Sequence, residues 1–130
     1  MGTRTFHHVG LRAFDPQPNE NFVEATRVWV TNPDQDPRKI EWLRYEPDSW
    51  LSEDFKNSPH VAYVVDDIDP WIEGKEIAIE PFEVGDPAFV RVAFVWEDGW
   101  ISEYMAFKPG VDWFDPNDQG TARAAGPESE

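Results

Sequence analysis

The chain of 130 residues is about the size of one domain, and its 40% hydrophobic and 15% aromatic content supplies enough apolar surface for a folded core. Its formal net charge of −15, from 26 acidic and 11 basic residues, argues against nucleic acid and anionic membranes as partners. The absence of cysteine excludes disulfides and thiolate chemistry, so any metal must be bound by histidine and carboxylate side chains.

The first half of the chain predicts three strands. Residues 6–13 (FHHVGLRA) form a short apolar-rich run that ends at a proline-containing segment, as is typical of a strand followed by a loop. Residues 25–31 and 39–46 each alternate between polar and apolar side chains, on either side of a turn-like segment at 32–37. These two runs predict a hairpin.

The second half begins after a polar connection at about 50–58. It predicts a strand over residues 60–65, then a short helix with Asp69 as N-cap and Pro70 in the first helical position. Further strands are predicted over 77–84, 89–96 and 100–107, the last two joined at the turn Asp98-Gly99. Residues 109–130 read as a polar tail, in which Trp113 and Phe114 are expected to contact the domain or a second subunit.

The two halves share a repeated pattern. Each half opens with a histidine in a strand, His8 in the sequence HVGL and His60 in HVAY. Each also ends on a strand that carries a glutamate among apolar residues, Glu41 in IEWLRY and Glu103 in SEYMAF. The order His, Glu, His, Glu predicts one module used twice, over about 5–47 and 58–108, within a single domain of residues 1–108.

The repeat indicates a metal site. Because side chains alternate across a strand, each of the four residues shares its face with mostly small or apolar neighbours; the exception is Arg12, on the face of His8. A buried carboxylate must shift its pKa, find a partner or bind a metal. Taken singly, each glutamate reads as an exposed strand residue and His60 as an ordinary structural histidine. Taken together, the matched pairs predict that His8, Glu41, His60 and Glu103 bind one divalent cation.

These residues give the chain a family resemblance. It resembles the vicinal oxygen chelate superfamily, which includes glyoxalase I, extradiol dioxygenases, fosfomycin-resistance enzymes and bleomycin-binding proteins. The resemblance covers residues 5–108, and the glyoxalase-like ligand positions correspond to His8, Glu41, His60 and Glu103. His7 is a rival of His8, and the match between HVGL and HVAY favours His8.

The resemblance implies an α+β fold. In it, two β-α-β-β-β modules form a cup-shaped mixed sheet around the metal site. The segment 16–24 of this chain is too short and too rich in proline for the family's first helix. We therefore expect that helix to be shortened or missing.

The resemblance also implies a function. It predicts a metal-dependent enzyme of glyoxalase type, an isomerase or lyase with Ni, Zn, Mn or Fe, acting on a small oxygen-rich substrate. Glu41 or Glu103 would be the catalytic base. Candidates for substrate contact, chosen because they share strand faces with the ligands, are Arg12, Tyr45, Met105 and Phe107.

Two other functions stay open. With only His8, His60 and Glu103 as ligands, the chain would suit Fe(II) and O₂ as an extradiol-type dioxygenase. Without catalysis, it would be a module that binds a small cationic or aromatic drug in the cup.

The expected surroundings of the protein follow from the same sequence. No apolar run approaches the ~20 residues of a membrane-spanning helix, and the first residues lack a basic region followed by an apolar stretch. We therefore expect a cytoplasmic protein whose partner is a small-molecule substrate. A homodimer is an expectation that goes with the resemblance.

Overall fold

The computed structural model describes residues 2–85 and 87–110. About half of these residues belong to strands, and the helices are short. The strands are β1 (Thr5–Arg12), β2 (Asn21–Val23), β3 (Val28–Val30), β4 (Ile40–Tyr45), β5 (His60–Val64), β6 (Glu76–Gly85), β7 (Ala88–Glu97) and β8 (Trp100–Phe107). The helices are α1 (Glu53–Asn57) and α2 (Asp69–Ile72), with a 3₁₀ turn at Pro33–Gln35. The predicted tail contacts of Trp113 and Phe114 lie outside the described residues.

The strands form one mixed sheet that curves into a nearly closed cup, as predicted. Its order is β2-β3-β4-β1-β5-β8-β7-β6. In each half the first strand pairs in parallel with the last, β1 with β4 and β5 with β8. The halves join through the antiparallel pair β1 and β5 at the centre of the sheet. Read outward from this centre, both halves have the same strand order, so the sequence repeat is also a repeat of topology.

The first half departs from the predicted strand over 25–31. A turn at 24–27 takes up the first part of that region, with Arg27 at a φ of 56°. The strand is therefore only Val28–Val30. The expected hairpin is still present, because β3 pairs antiparallel with β4. The segment between β1 and β2 contains no helix, as expected from its two prolines, Pro16 and Pro18.

Helix α1 is an element that the sequence analysis missed. It occupies part of the predicted polar connection at 50–58. The hydroxyl of Ser52 accepts a hydrogen bond of 3.1 Å from the backbone N–H of Phe55, which caps the helix. The Phe55 ring is buried in the core. Tertiary burial of one aromatic side chain therefore stabilises a helix too short to form alone.

Helix α2 begins one residue earlier than predicted. Ile68, and not Asp69, is the N-cap, and it makes no side-chain capping bond. The carboxylate of Asp67 instead accepts a hydrogen bond of 3.1 Å from the backbone N–H of Asp69. Aspartate does cap the start of this helix, but from two residues before the position that was predicted.

The sheet has an apolar cluster on each face. Strand β8 shows the division: Ile101 and Met105 contribute to the larger cluster inside the cup, whereas Tyr104 belongs to a smaller one beneath α2. Glu103 lies between the two inward-facing residues of this strand. In the described part of the chain, no helix has the length and apolar character needed to cross a membrane.

Candidate metal centre

The four predicted ligands lie on the four central strands of the sheet: His8 on β1, Glu41 on β4, His60 on β5 and Glu103 on β8. Their registers match in the two halves. Glu41 lies beside Gly10, two residues beyond His8, and Glu103 lies beside Ala62, two residues beyond His60. The antiparallel pairing of β1 and β5 then places each histidine opposite one of these small residues. Together these pairings direct all four side chains to one point at the base of the cup.

The donor atoms are spaced as neighbours around a single ion. His8 Nε2 lies 3.2 Å from Glu41 Oε1 and 3.4 Å from Glu103 Oε1. His60 Nε2 lies 3.4 Å and 3.1 Å from the same two oxygens, and the two Nε2 atoms are 3.4 Å apart. For metal–ligand bonds of about 2.1 Å, adjacent donors are about 3.0–3.4 Å apart in octahedral or tetrahedral sites. One nitrogen or oxygen from each residue lies within 4.8 Å of the others, so the four are close enough to hold a metal ion.

The site is buried, and its two carboxylates are ionised. None of the four side chains is more than 4% exposed to solvent. Burial by itself raises the pKa of Glu103, but hydrogen bonds to His60 and His8 outweigh it and lower that pKa to about 2. Burial lowers the pKa of His8, and the two carboxylates outweigh it and raise the pKa to about 10. Two ionised glutamates with neutral imidazoles carry a charge of −2, which two protons or one divalent cation would balance.

His7 takes a supporting place beside the cluster. Its Nδ1 lies 2.8 Å from Nδ1 of His8, on the side of that imidazole away from the carboxylates. If Nε2 of His8 holds a cation, the ring proton is on Nδ1 and is donated to His7. The His7 ring also packs near the ring of Phe107, with centroids 5.9 Å apart. In the sequence His7 is only a rival of His8 as a ligand, and the structure places it next to the Nδ1 atom of His8.

A cavity of about 40 Å³ opens beside the two glutamates. Glu41 and Glu103 are among its lining residues, together with Thr26 and a wall of aliphatic and aromatic side chains. The apolar wall includes Val30, Leu43, Phe55, Val92 and Phe94. A molecule that enters this cavity therefore meets the carboxylates at one end and apolar surface on most other sides.

The residues predicted to contact substrate lie elsewhere around the site, and none of the four is among the lining residues of this cavity. Arg12 donates hydrogen bonds to Asn57 at 2.7 Å and Glu53 at 3.4 Å. Tyr45 and Phe107 pack against the core cluster, and Met105 is fully buried within it. Contact between these four residues and a substrate stays a prediction.

Comparison with known proteins supports the fold. No family model matches the sequence, and no curated protein matches it at a significant level. The structure is similar to the crystal structure of hypothetical protein BH1468 from Bacillus halodurans C-125, with a TM-score of 0.63. The alignment covers 85% of this chain and 99% of that chain, at 16% sequence identity. At this identity the likeness concerns the fold alone, so the function has to be argued from the site.

Proposed function

We propose that the protein is a metal-dependent enzyme of glyoxalase type, an isomerase or lyase that acts on a small oxygen-rich substrate. The observation that carries the proposal is the buried set of two histidines and two glutamates whose donor atoms are spaced for one cation. The cavity beside the two glutamates also supports the proposal. Conformity with the vicinal oxygen chelate pattern at all four positions supports the reaction class.

The chemistry divides between the cation and the protein. A divalent cation bound by His8, Glu41, His60 and Glu103 would polarise substrate oxygens and stabilise negative charge that develops on them. The two glutamates face the cavity, where a carboxylate can take a proton from a substrate carbon or return one. The apolar wall excludes water, which strengthens the electrostatic interactions within the site.

The position of Glu41 favours this reaction class over O₂ activation. Its Oε1 is 3.2 Å from His8 Nε2 and 3.4 Å from His60 Nε2, distances close to those of Glu103. A centre with four protein ligands keeps fewer vacant positions than the two-histidine, one-carboxylate arrangement of O₂-activating iron enzymes. The geometry of Glu41 is therefore the main argument for an isomerase or lyase over a dioxygenase.

Metal content is the first test. Protein purified without chelator should contain close to one equivalent of a divalent metal by elemental analysis. Metal-free protein should gain about 2.7 kcal/mol of stability at a metal concentration one hundred times the Kd. If Ni²⁺, Zn²⁺, Mn²⁺ and Fe²⁺ all leave the melting temperature unchanged, the proposal is wrong.

The second test addresses proton movement directly. Hydroxyacetone in D₂O reports removal of a proton next to a carbonyl, because deuterium incorporation is visible by NMR. The metal-loaded protein should accelerate this exchange, and metal-free protein and the Glu103→Gln variant should not. If metal-loaded protein causes no exchange with hydroxyacetone or with a panel of larger hydroxyketones, the enzymatic part of the proposal is wrong. The metal site itself would still stand.

A further inference from the structure

A larger groove adjoins the cavity beside the two glutamates. This outer groove has a volume of about 430 Å³. Three residues, Thr26, Ile79 and Phe82, line both spaces, so the groove and the cavity share a wall. Pockets that hold small molecules usually have about 300–1,000 Å³, far more than the 40 Å³ beside the glutamates. Only a small part of a substrate fits the inner cavity, and the outer groove is the adjoining space that is large enough for the rest.

The outer groove presents an aromatic platform. Trp50 lines it and is 61% exposed. The indole N–H donates a hydrogen bond of 2.8 Å to the backbone carbonyl of Ala25. This bond holds the ring in a defined orientation while much of its surface stays open to solvent. An apolar group bound in the groove would therefore meet a ring that is already positioned.

The charges around the two spaces disfavour an anion. Among the described residues that line the cavity or the groove, none is Lys, Arg or His. The ionisable side chains that do line them are Glu41 and Glu103 at the metal centre and Glu80 on the outer groove. Two ligand carboxylates cancel the charge of a divalent cation, so the occupied centre would add no net positive charge. A substrate with a carboxylate or phosphate tail would face Glu80 with no cation to pair with it.

From this arrangement we infer that the site takes an uncharged substrate, with two adjacent oxygens at the metal centre and an apolar, preferably aromatic, portion in the outer groove against Trp50. The inference rests on the proposed function, since it requires the metal centre to be occupied. It narrows the substrate class to molecules without an anionic tail. Trp50 would be a specificity-determining residue for this class.

Three hydroxamic acids test the inference, because each chelates a divalent metal through two adjacent oxygens. Benzohydroxamic acid has a phenyl ring, acetohydroxamic acid has only a methyl group, and 4-carboxybenzohydroxamic acid carries an anion on the ring. Calorimetric titration into Ni²⁺-loaded protein should show benzohydroxamic acid binding about tenfold or more tightly than each of the other two. Metal analysis after each titration verifies that the ion was not removed.

Matched variants assign the effect to the groove. Trp50→Ala should reduce the preference for benzohydroxamic over acetohydroxamic acid by at least about threefold. Trp100→Ala, at an exposed tryptophan that lines neither space, should leave it unchanged. Glu80→Lys should raise the affinity for 4-carboxybenzohydroxamic acid by about threefold. Glu76→Lys makes the same change at an exposed position of the same strand outside the groove, so it should have little effect.

The outcomes separate the two proposals. Protein that retains no metal contradicts the proposed function, and the inference falls with it. Protein that retains metal but binds the three compounds equally, prefers the carboxylated compound or binds none contradicts the inference alone. A preference for the phenyl compound that survives Trp50→Ala would also contradict it, because the groove would not be the place where the ring binds.

Discussion

The imidazole of His60 lies over the backbone of Gly10, at the position that a Cβ atom on residue 10 would occupy. The two residues are directly paired across β1 and β5. The φ of Gly10 is not in the left-handed region, so the requirement for glycine here is steric and not conformational. Gly10 is therefore a part of the candidate metal centre that contributes space instead of a donor atom.

We expect Gly10→Ala to displace the His60 ring and to weaken metal binding without removing any ligand. Overpacking of this kind costs about 1–3 kcal/mol, so the melting temperature of the metal-free protein should also fall. Metal titration by calorimetry and thermal unfolding measure the two effects. Gly2→Ala is the matched control, because a Cβ there meets no atom within 4 Å. Unchanged metal affinity in Gly10→Ala would show that His60 is not a ligand in the position seen here.

Glu103→Gln should abolish turnover and lower metal affinity by more than about a hundredfold, since a neutral amide replaces an anionic ligand. The variant keeps the size of the side chain, and its circular dichroism spectrum should stay that of the parent. Glu76→Gln is the control, at an exposed strand position where substitutions usually change stability by less than about 0.5 kcal/mol. Glu46 would be a poor control, because it accepts a hydrogen bond of 2.6 Å from Trp29 Nε1. Equal metal affinity in the two variants would exclude Glu103 as a ligand.

His7→Phe should weaken metal binding by roughly 10–100-fold, the usual cost of losing a group that orients a histidine ligand. Phenylalanine preserves the aromatic contact with Phe107 but cannot accept the proton of His8 Nδ1. His7→Asn supplies an acceptor oxygen again and should recover part of the affinity. Competition with a fluorescent chelator would measure both variants. Wild-type affinity in His7→Phe would mean that the 2.8 Å contact does not orient His8.

Glu97 should make stability depend on pH, independently of the metal centre. Burial by itself raises its pKa, but hydrogen bonds from Ser102, Lys75 and Tyr104 outweigh it and hold the pKa below the ordinary 4.5. Because the folded pKa is the lower one, this stabilisation is fully present above about pH 4.5 and is lost as the pH falls through the folded pKa. Glu97→Gln should cost about 1 kcal/mol near neutral pH, and the cost should vanish in acid.

Urea denaturation of metal-free wild type and Glu97→Gln between about pH 7 and pH 3 would measure this difference. Comparing the two proteins at each pH cancels the titration of all other groups. A difference in unfolding free energy that stays constant over the whole range would show that the pKa of Glu97 is not lowered by folding.

Much of the fold and the grouping of the four candidate ligands could be predicted because both depend on local alternation. In a strand the side-chain period is two residues, so the position of Glu103 between Ile101 and Met105 already implies an inward-facing carboxylate. The repeat of His8 and Glu41 in His60 and Glu103 then indicates that the four residues act together. The turn at Asp98-Gly99 was equally visible, and both residues have the positive φ that such a turn requires.

The tertiary structure alone decided how strands far apart in sequence pair and pack. Helix α1 depends on burial of Phe55 in a core built largely from other elements, and the cavity wall comes in part from β6 and β7. The place of His60 over Gly10 follows from the register of β1 against β5, which spans 50 residues of chain. Local sequence determines which face of a strand a side chain occupies. Distances between ligands, the shape of the cavity and the exposure of Trp50 arise only when separate strands pack, since those contacts lie between residues that no local pattern relates.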